Sequence, residues 1–206
     1  MEELKFRQIH MDFHTSEKIM DVGAEFDAEE FAKTLDEARV NSVTCFARCH
    51  HGMLYYDSLR FPELVHPGLV NKNLLIEQID ACHKRGIKVP VYTTVQWDYY
   101  SGMNHPDWVC LNADGSLKDF CQDDKPANVY EAGFYRTLCV NSPYRQFLKE
   151  QILDIFEVLT PERIDGLFLD IVNPVDCSCR HCVEKMTAEG YRADKKEDRM
   201  LFARKT

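Results

Sequence analysis

The sequence predicts an α/β fold, the amino-terminal half of an eight-stranded (β/α) TIM-type barrel with parallel strands. Three observations lead to this prediction. Short apolar segments alternate with amphipathic helical segments four times along the chain. No glycine-rich phosphate loop follows the first of them, as a dinucleotide-binding fold would require. Polar and aromatic residues cluster after each strand candidate, where barrels build their active sites.

The four strand candidates are short and mostly apolar, as expected when both faces of a parallel sheet are buried. They span residues 8–13, 42–47, 88–94 and 166–172.

Amphipathic segments connect these strands. The first helix candidate, residues 27–39, begins at the capping residue Asp27, with Glu30 three positions later. The second, residues 74–85, ends at Gly86. Two more helical segments are predicted, over residues 143–159 and from near His181 to Thr206.

The chain has 206 residues, fewer than the ~250 that a complete eight-stranded barrel usually needs. We therefore expect residues 1–206 to form a single domain that is a partial barrel. Because a half barrel has two open parallel edges, we also expect the sequence to be a fragment of a longer protein. The alternative is a small, complete flavodoxin-like domain.

Composition excludes several classes of protein. A net charge of −9 argues against nucleic acid or an anionic membrane as the main partner. No apolar run approaches the ~20 residues of a membrane-spanning helix. No secretory signal is visible, and the nine cysteines are interpreted as reduced thiols or metal ligands. A cytoplasmic protein without an organic cofactor is therefore expected.

Asp170 ends the apolar run 167–169. Burying a carboxylate there is costly unless it has a partner or a function. Glycosidases need two carboxyl groups at the scissile bond, and one of them can be a strand-end nucleophile. Spacing alone supports this role and a loop-capping role equally. The second carboxylate would be Asp12 or Asp98, or would lie outside these four units.

Further strand-end residues are candidates for substrate binding. Four histidines follow the first two strands and offer neutral hydrogen-bonding groups suited to sugar hydroxyls, and Trp97 could stack on an apolar sugar face. The predicted substrate-binding residues are His10, Asp12, His14, His50, His51, Trp97 and Asp98. The neighbouring tyrosines, Tyr99 and Tyr100, are expected to pack under the following loop.

The segment with the most specific spacing is Cys177-Ser-Cys179-Arg-His-Cys182. Three thiols at this spacing can bind one zinc ion, and a structural site takes a fourth ligand. The candidates for that ligand are Cys139, His181, Cys121 and Cys110. Such a closed site would fix the loop after Asp170 and would not be the catalytic centre.

Seven segments together resemble one known group of proteins. They are residues 7–14, 46–52, 66–69, 82–89, 105–108, 139–145 and 166–170. As a set they are similar to the hypothetical glycosyl hydrolases that resemble α-L-fucosidases and carry a β-galactosidase-type trimerisation domain downstream. The resemblance extends from Arg7 to about Met186.

The resemblance implies a (β/α) barrel, an oligosaccharide substrate and homo-oligomerisation of the full-length protein. It matches His50-His51 to the paired histidines of the fucose pocket, and Asp170 to the nucleophile of the retaining α-L-fucosidases. Separately, Cys139 with the three later cysteines is similar to the zinc cluster of bacterial β-galactosidases, which makes Cys139 the preferred fourth ligand. Those enzymes carry an Asn-Glu pair after the fourth strand, whereas this chain reads Asp170-Ile-Val-Asn173.

Three functional hypotheses follow. The first is a retaining exo-glycosidase of the α-L-fucosidase kind with Asp170 as its nucleophile. The second is a non-catalytic, carbohydrate-binding half barrel with a structural zinc site. The third is a zinc-dependent hydrolase acting at the cysteine cluster, against which the closed, all-thiolate ligand set argues.

Overall fold

The computed structural model describes residues 6–118 and 136–206. The described residues form two compact units. The first unit draws on Met1–Cys49, Met53–Thr93 and Glu150–Asp170, and the second on His50–Gly52, Thr94–Lys149 and Ile171–Thr206. The assignment of the whole chain to a single domain stays a prediction.

A four-stranded parallel sheet organises the first unit. Its strands are β1 (Gln8–His10), β2 (Ser42–Phe46), β3 (Val91–Thr94) and β4 (Leu167–Asp170). They lie in the order β1-β2-β3-β4, so each strand neighbours the next one along the chain. This is the order of a barrel, whereas doubly wound sheets have orders such as 3-2-1-4 or 2-1-3-4. The flavodoxin-like alternative is therefore wrong.

Helices follow the strands. They are α1 (Ala28–Glu37), α2 (Leu74–Lys84), α3 (Tyr99–Asn104), α4 (Tyr144–Leu159), α5 (Arg180–Ala188) and α6 (Lys196–Lys205). The predicted cap of α1 is confirmed, because the Asp27 side chain accepts a hydrogen bond of 2.7 Å from the Glu30 N–H. Gly86, at a φ of +69°, follows α2 as predicted. No helix in the described ranges is long and apolar enough to cross a membrane.

Several predicted elements are wrong in their extent. The third strand begins at Val91 rather than residue 88, and the fourth ends at Asp170 rather than residue 172. The first strand ends at His10 rather than residue 13, because its pairing with β2 ends at the His10–Thr44 pair. The last helical segment is not continuous to Thr206. It is interrupted after α5 by Gly190 at a φ of +81°, a left-handed conformation that ends helices. The short helix α3 was not predicted.

A buried carboxylate on α4 holds the segment that follows β2. Asp154 is fully buried and accepts hydrogen bonds from the hydroxyl groups of Tyr56 (2.7 Å) and Ser58 (2.6 Å). It also accepts the backbone N–H groups of Leu59 (3.0 Å) and Arg60 (2.9 Å). Four donors satisfy a charge that would otherwise be costly to bury, so this network fixes the loop in the first unit.

Candidate active site

An aromatic layer lines one face of the sheet in the first unit. The Phe46 and Tyr92 rings stack with centroids 3.8 Å apart, and Tyr92 stacks on Phe168 at 5.8 Å. The His10 ring lies 5.0–5.5 Å from all three. Each of the four strands therefore contributes one ring to this face of the sheet.

Asp170 lies at the carboxyl end of this layer. It is two residues beyond Phe168, so both side chains lie on the same face of β4. The Tyr92 hydroxyl donates a hydrogen bond of 2.7 Å to Asp170 Oδ2. Burial and this bond raise the pKa of Tyr92, so its phenol keeps the proton that it donates. Asp170 itself is half-buried and thus reachable.

The backbone is strained directly after this carboxylate. Ile171 has a φ of +54°, in the left-handed region that β-branched residues rarely adopt. Such conformations cost about 1–3 kcal/mol and cluster at active sites. The strain therefore marks the end of β4 as a position constrained by more than packing.

His14 and Asp12 form a pair beside the aromatic layer. His14 Nε2 lies 2.8 Å from Asp12 Oδ1. Burial lowers the pKa of His14, and the nearby charge of Asp12 only partly offsets this, so the neutral ring donates to the carboxylate. The charge of Asp170 also acts to raise the pKa of His14. His10 Nε2 lies 4.0 Å from Asp12 Oδ1. The structure thus brings together four predicted residues: His10, Asp12, His14 and Asp170.

The other predicted binding residues lie in the second unit. The His50 ring lies edge-on to Trp97 at 5.1 Å, and His51 lies 6.4 Å from the Tyr99 ring. Asp98 caps α3, accepting hydrogen bonds of 2.8 and 2.7 Å from the N–H and hydroxyl of Ser101. It is buried, so the structure gives this carboxylate a helix-capping role.

Gly52 explains how the histidine pair is held. Its φ is +86°, and a Cβ there would lie only 2.4 Å from Asp98 Oδ1 and 2.8 Å from Tyr100 Cβ. Only glycine fits without displacing the cap of α3. The backbone carbonyl groups of His50 and His51 accept the N–H groups of Tyr99 and Tyr100 at 2.9 and 3.2 Å, which ties the turn to that helix.

Four cysteines converge in the second unit. The sulfur atoms of Cys139, Cys177, Cys179 and Cys182 all lie within 4.8 Å of one another, and all four residues are buried. The Cys139 sulfur lies 3.4 Å from that of Cys182 and 3.5 Å from that of Cys179. Zn–S bonds of ~2.3 Å in a tetrahedron put sulfurs ~3.8 Å apart. The donor set therefore fits a zinc ion.

The other candidates for the fourth ligand are placed differently. His181 lies outside this group and hydrogen-bonds with Arg180 at 3.3 Å. Cys121 lies outside the described residues. Cys110 is buried in the same cluster, where the neighbouring thiols of Cys139 and Cys177 raise its pKa.

Hydrogen bonding within the cluster divides the thiols. Neighbouring thiols, Cys110 above all, lower the pKa of Cys139 to about 4. They also hold the pKa of Cys177 well below its ordinary range. The contacts with Cys139 and Cys177 raise the pKa values of Cys179 and Cys182. Thiolates are the form that binds metals, and the cluster favours them at two of its four positions.

Sequence reasoning missed three of the residues that shape these sites. Tyr92, Gly52 and Ile171 had no assigned role. For Tyr92 the available signal was the alternation of side chains along β3. Every second side chain of a strand lies on the same face, so part of β3 had to line the face that bears Asp170. The conformations of Gly52 and Ile171 depend on contacts and backbone geometry that no local pattern records.

This combination of a sequentially ordered parallel sheet and a strand-end carboxylate beside histidines defines the barrel type found among glycoside hydrolases. Comparison with known proteins identifies the family. The model of the family described as hypothetical glycosyl hydrolase 6 matches residues 27–171, and the chain belongs to that family. No curated protein matches the chain.

Among solved structures, the chain is similar to α-L-fucosidase isoenzyme 2 from Paenibacillus thiaminolyticus. The TM-score is 0.84 at 35% identity, over 98% of this chain and 29% of that one. This chain therefore spans less than a third of that protein. The predicted fold, half of a barrel, is confirmed by this similarity.

More distant structures share the fold alone. The Thermotoga maritima α-fucosidase in complex with fucose has a TM-score of 0.51 at 15% identity, over 91% of this chain and 35% of its own. A hypothetical protein from Ruminiclostridium thermocellum has a TM-score of 0.50 at 14% identity, covering 74% of this chain and 73% of its own.

Proposed function

We propose that this chain carries the nucleophile-bearing half of a retaining exo-glycosidase of the α-L-fucosidase kind, with Asp170 as the nucleophile. The observation that carries the proposal is the position of Asp170. It ends β4, accepts the Tyr92 hydroxyl at 2.7 Å and precedes a residue in a strained conformation. The similarity to the Paenibacillus α-L-fucosidase supports the choice of sugar.

The proposed chemistry uses these residues directly. Asp170 attacks the anomeric carbon, the glycosidic C–O bond breaks, and the departing oxygen takes a proton from an acid, leaving a glycosyl ester on Asp170. Water then attacks the anomeric carbon, gives its proton back to the deprotonated acid, and releases Asp170 as a carboxylate. The hydrogen bond from Tyr92 holds the carboxylate toward the reacting face. The His14 ring lies edge-on to Phe46 at 5.2 Å. The His14–Asp12 pair beside the aromatic layer would bind substrate hydroxyls.

The acid is proposed to lie outside these four β/α units. In the first unit, Asp12 is engaged by His14 at 2.8 Å; in the second, Asp98 is buried as a helix cap. Four units supply half of an eight-stranded barrel, and the Paenibacillus chain is more than three times as long as the matched part. A strand-end carboxylate on a later strand would complete the pair.

Replacement of the nucleophile tests this proposal. In the protein that carries this segment, Asp170→Asn should abolish turnover of aryl α-L-fucosides without loss of folding. Asp57→Asn is the matched control, because Asp57 is an exposed carboxylate paired with Lys72 at the surface. A 2-fluoro-fucosyl fluoride should label Asp170 covalently, as detected by peptide mass spectrometry, and the released fucose should retain its anomeric configuration.

The outcomes separate the hypotheses. Undiminished turnover by Asp170→Asn would remove Asp170 from the mechanism. Fucose binding without turnover by the wild-type protein would favour the non-catalytic carbohydrate-binding alternative.

We also propose that Cys139, Cys177, Cys179 and Cys182 hold a structural zinc ion. When bound, the ion would cross-link the segment after β4 to the segment before α4, within the second unit. Elemental analysis should find one zinc per chain, and Cys177→Ala should lose it, whereas Cys45→Ala, a buried cysteine of the first unit, should keep it. A folded wild-type protein that takes up no zinc would contradict the proposal.

A further inference from the structure

A fifth thiol lies against the proposed zinc ligands. Cys110 is 1% exposed and belongs to a segment that pairs antiparallel with the one bearing Cys139. The Cys110 N–H donates to Thr137 O and the Cys139 N–H to Trp108 O, both at 2.7 Å. In this pairing Cys110 lies opposite Thr137 and Cys139 lies opposite Trp108, so the two cysteines are diagonal neighbours on one face. Both belong to one buried cluster with Cys177.

Five sulfurs meet where a tetrahedral ion takes four. The set whose sulfurs all lie within 4.8 Å of one another is Cys139, Cys177, Cys179 and Cys182, and Cys110 lies outside it. Three of those four come from the Cys-x-Cys-x-x-Cys segment. The geometry therefore leaves Cys110 as a neighbour of the ligands.

A zinc ion with four thiolates has a net charge of −2, which is costly to bury without hydrogen-bond donors. Two ligand sulfurs have donors from N–H groups. The Cys179 N–H lies 3.4 Å from Cys177 Sγ, and Asn141 Nδ2 lies 3.5 Å from Cys182 Sγ. Lys185 Nζ lies 3.2 Å from Asn141 Oδ1. This places a positive charge next to the amide group that donates to Cys182.

We propose that Cys110 is an outer-sphere thiol of this metal centre, which donates an S–H···S hydrogen bond to the ligand sulfurs of Cys139 and Cys177 and does not itself bind the ion. The inference rests on the proposed zinc site. A thiol is a weak donor, but beside two thiolates it meets charged acceptors.

Two substitutions at Cys110 test this role. Cys110→Ala removes the donor, and Cys110→Ser keeps one. Both variants should bind one zinc per chain. Competition with a chromophoric chelator should show zinc binding about tenfold weaker in Cys110→Ala, the lower end of the effect of outer-shell changes, and close to wild type in Cys110→Ser. Cys82→Ala, a buried cysteine of α2 in the other unit, should leave the affinity unchanged.

Cobalt(II) substitution identifies the ligands themselves. The thiolate-to-cobalt charge-transfer absorption of both Cys110 variants should keep the full four-thiolate intensity, whereas Cys139→Ser should lose part of it. A loss of intensity in either Cys110 variant would make Cys110 a ligand and overturn the proposal. Equal zinc affinities of wild type and a folded Cys110→Ala would overturn it too. If Cys110→Ala does not fold, the cobalt spectrum of Cys110→Ser decides. Failure of the wild-type protein to bind either metal would remove the zinc site itself, independently of Asp170.

Discussion

The Tyr92 hydroxyl donates a hydrogen bond of 2.7 Å to Asp170 Oδ2 across the β3–β4 edge of the sheet. The Tyr92 ring is itself held between Phe46 and Phe168. Stacked aromatic rings thus position the donor, and the donor positions the half-exposed carboxylate. Such a rigid support is what a nucleophile needs for a fixed line of attack.

Tyr92→Phe removes this hydrogen bond and keeps the ring. A hydrogen bond to a charged group contributes about 1.5–3 kcal/mol, so kcat/KM for an aryl fucoside should fall about 10- to 100-fold. Tyr191→Phe, in the second unit, is the control. An unchanged kcat/KM in a folded Tyr92→Phe variant would show that the bond plays no part in catalysis.

The fold could be predicted to a large extent because barrel units are local. Each strand and its following helix are specified by hydrophobic period and capping residues, as with Asp27 at α1. Strand order could not be read from these patterns, since both a barrel and a doubly wound sheet are built of the same units. The missing glycine-rich loop and the polar strand ends favoured the barrel, and the observed order of β1 to β4 established it.

The candidate site was predictable where residue type and strand-end position coincide, as at Asp170 and His14. Roles that depend on tertiary contacts were not. Asp98 was a predicted binding residue because it follows β3, and its capping of α3 depends on a helix that the sequence did not reveal. Asp154 lies within the long α4, and only the loop that folds onto it gives it four donors.

Gly52→Ala should destabilise the protein through a steric clash in addition to backbone strain. The left-handed φ alone costs more than about 1 kcal/mol for a residue with a Cβ, and the new atom would lie 2.4 Å from Asp98 Oδ1. Gly115→Ala is a matched control, because Gly115 has a φ of +84° with nothing within 4 Å of its Cβ position. Urea unfolding should show the larger loss at Gly52. Equal losses would mean that the Asp98 side chain moves away from the new methyl group without a cost in stability.

Asp154→Ala should lower the free energy of unfolding by about 3 kcal/mol or more, because buried donors lose their acceptor. The hydroxyls of Tyr56 and Ser58 are both buried and would be left unsatisfied. Glu157→Ala, on the same helix, removes a carboxylate that is 50% exposed and pairs with Arg60, and should change stability by less than about 1 kcal/mol. Urea unfolding of both variants checks this. Similar losses would show that the network adds little.

His66 should make the protein less stable as the pH falls. Its Nδ1 accepts the Gly68 N–H at 3.0 Å and its Nε2 faces Ser16 O at 3.0 Å, which fixes the neutral form with the proton on Nε2. Burial lowers the pKa of His66, and the hydrogen bond to Ser16 only partly offsets this. The unfolded chain therefore binds a proton near pH ~6.5, before the folded one does. Stability should be constant above that pH and fall as the pH decreases toward the folded-state pKa.

His14, whose pKa is also lowered by burial, should contribute in the same direction. Urea unfolding between neutral and mildly acidic pH measures the slope. His66→Gln offers one donor and one acceptor without titrating, so it should show a smaller loss of stability than wild type over this range. His105→Gln, in the second unit, serves as the control for removing a histidine elsewhere. If wild type and His66→Gln lose stability equally on acidification, the proton uptake lies elsewhere and the neutral hydrogen bonds of His66 are not its cause.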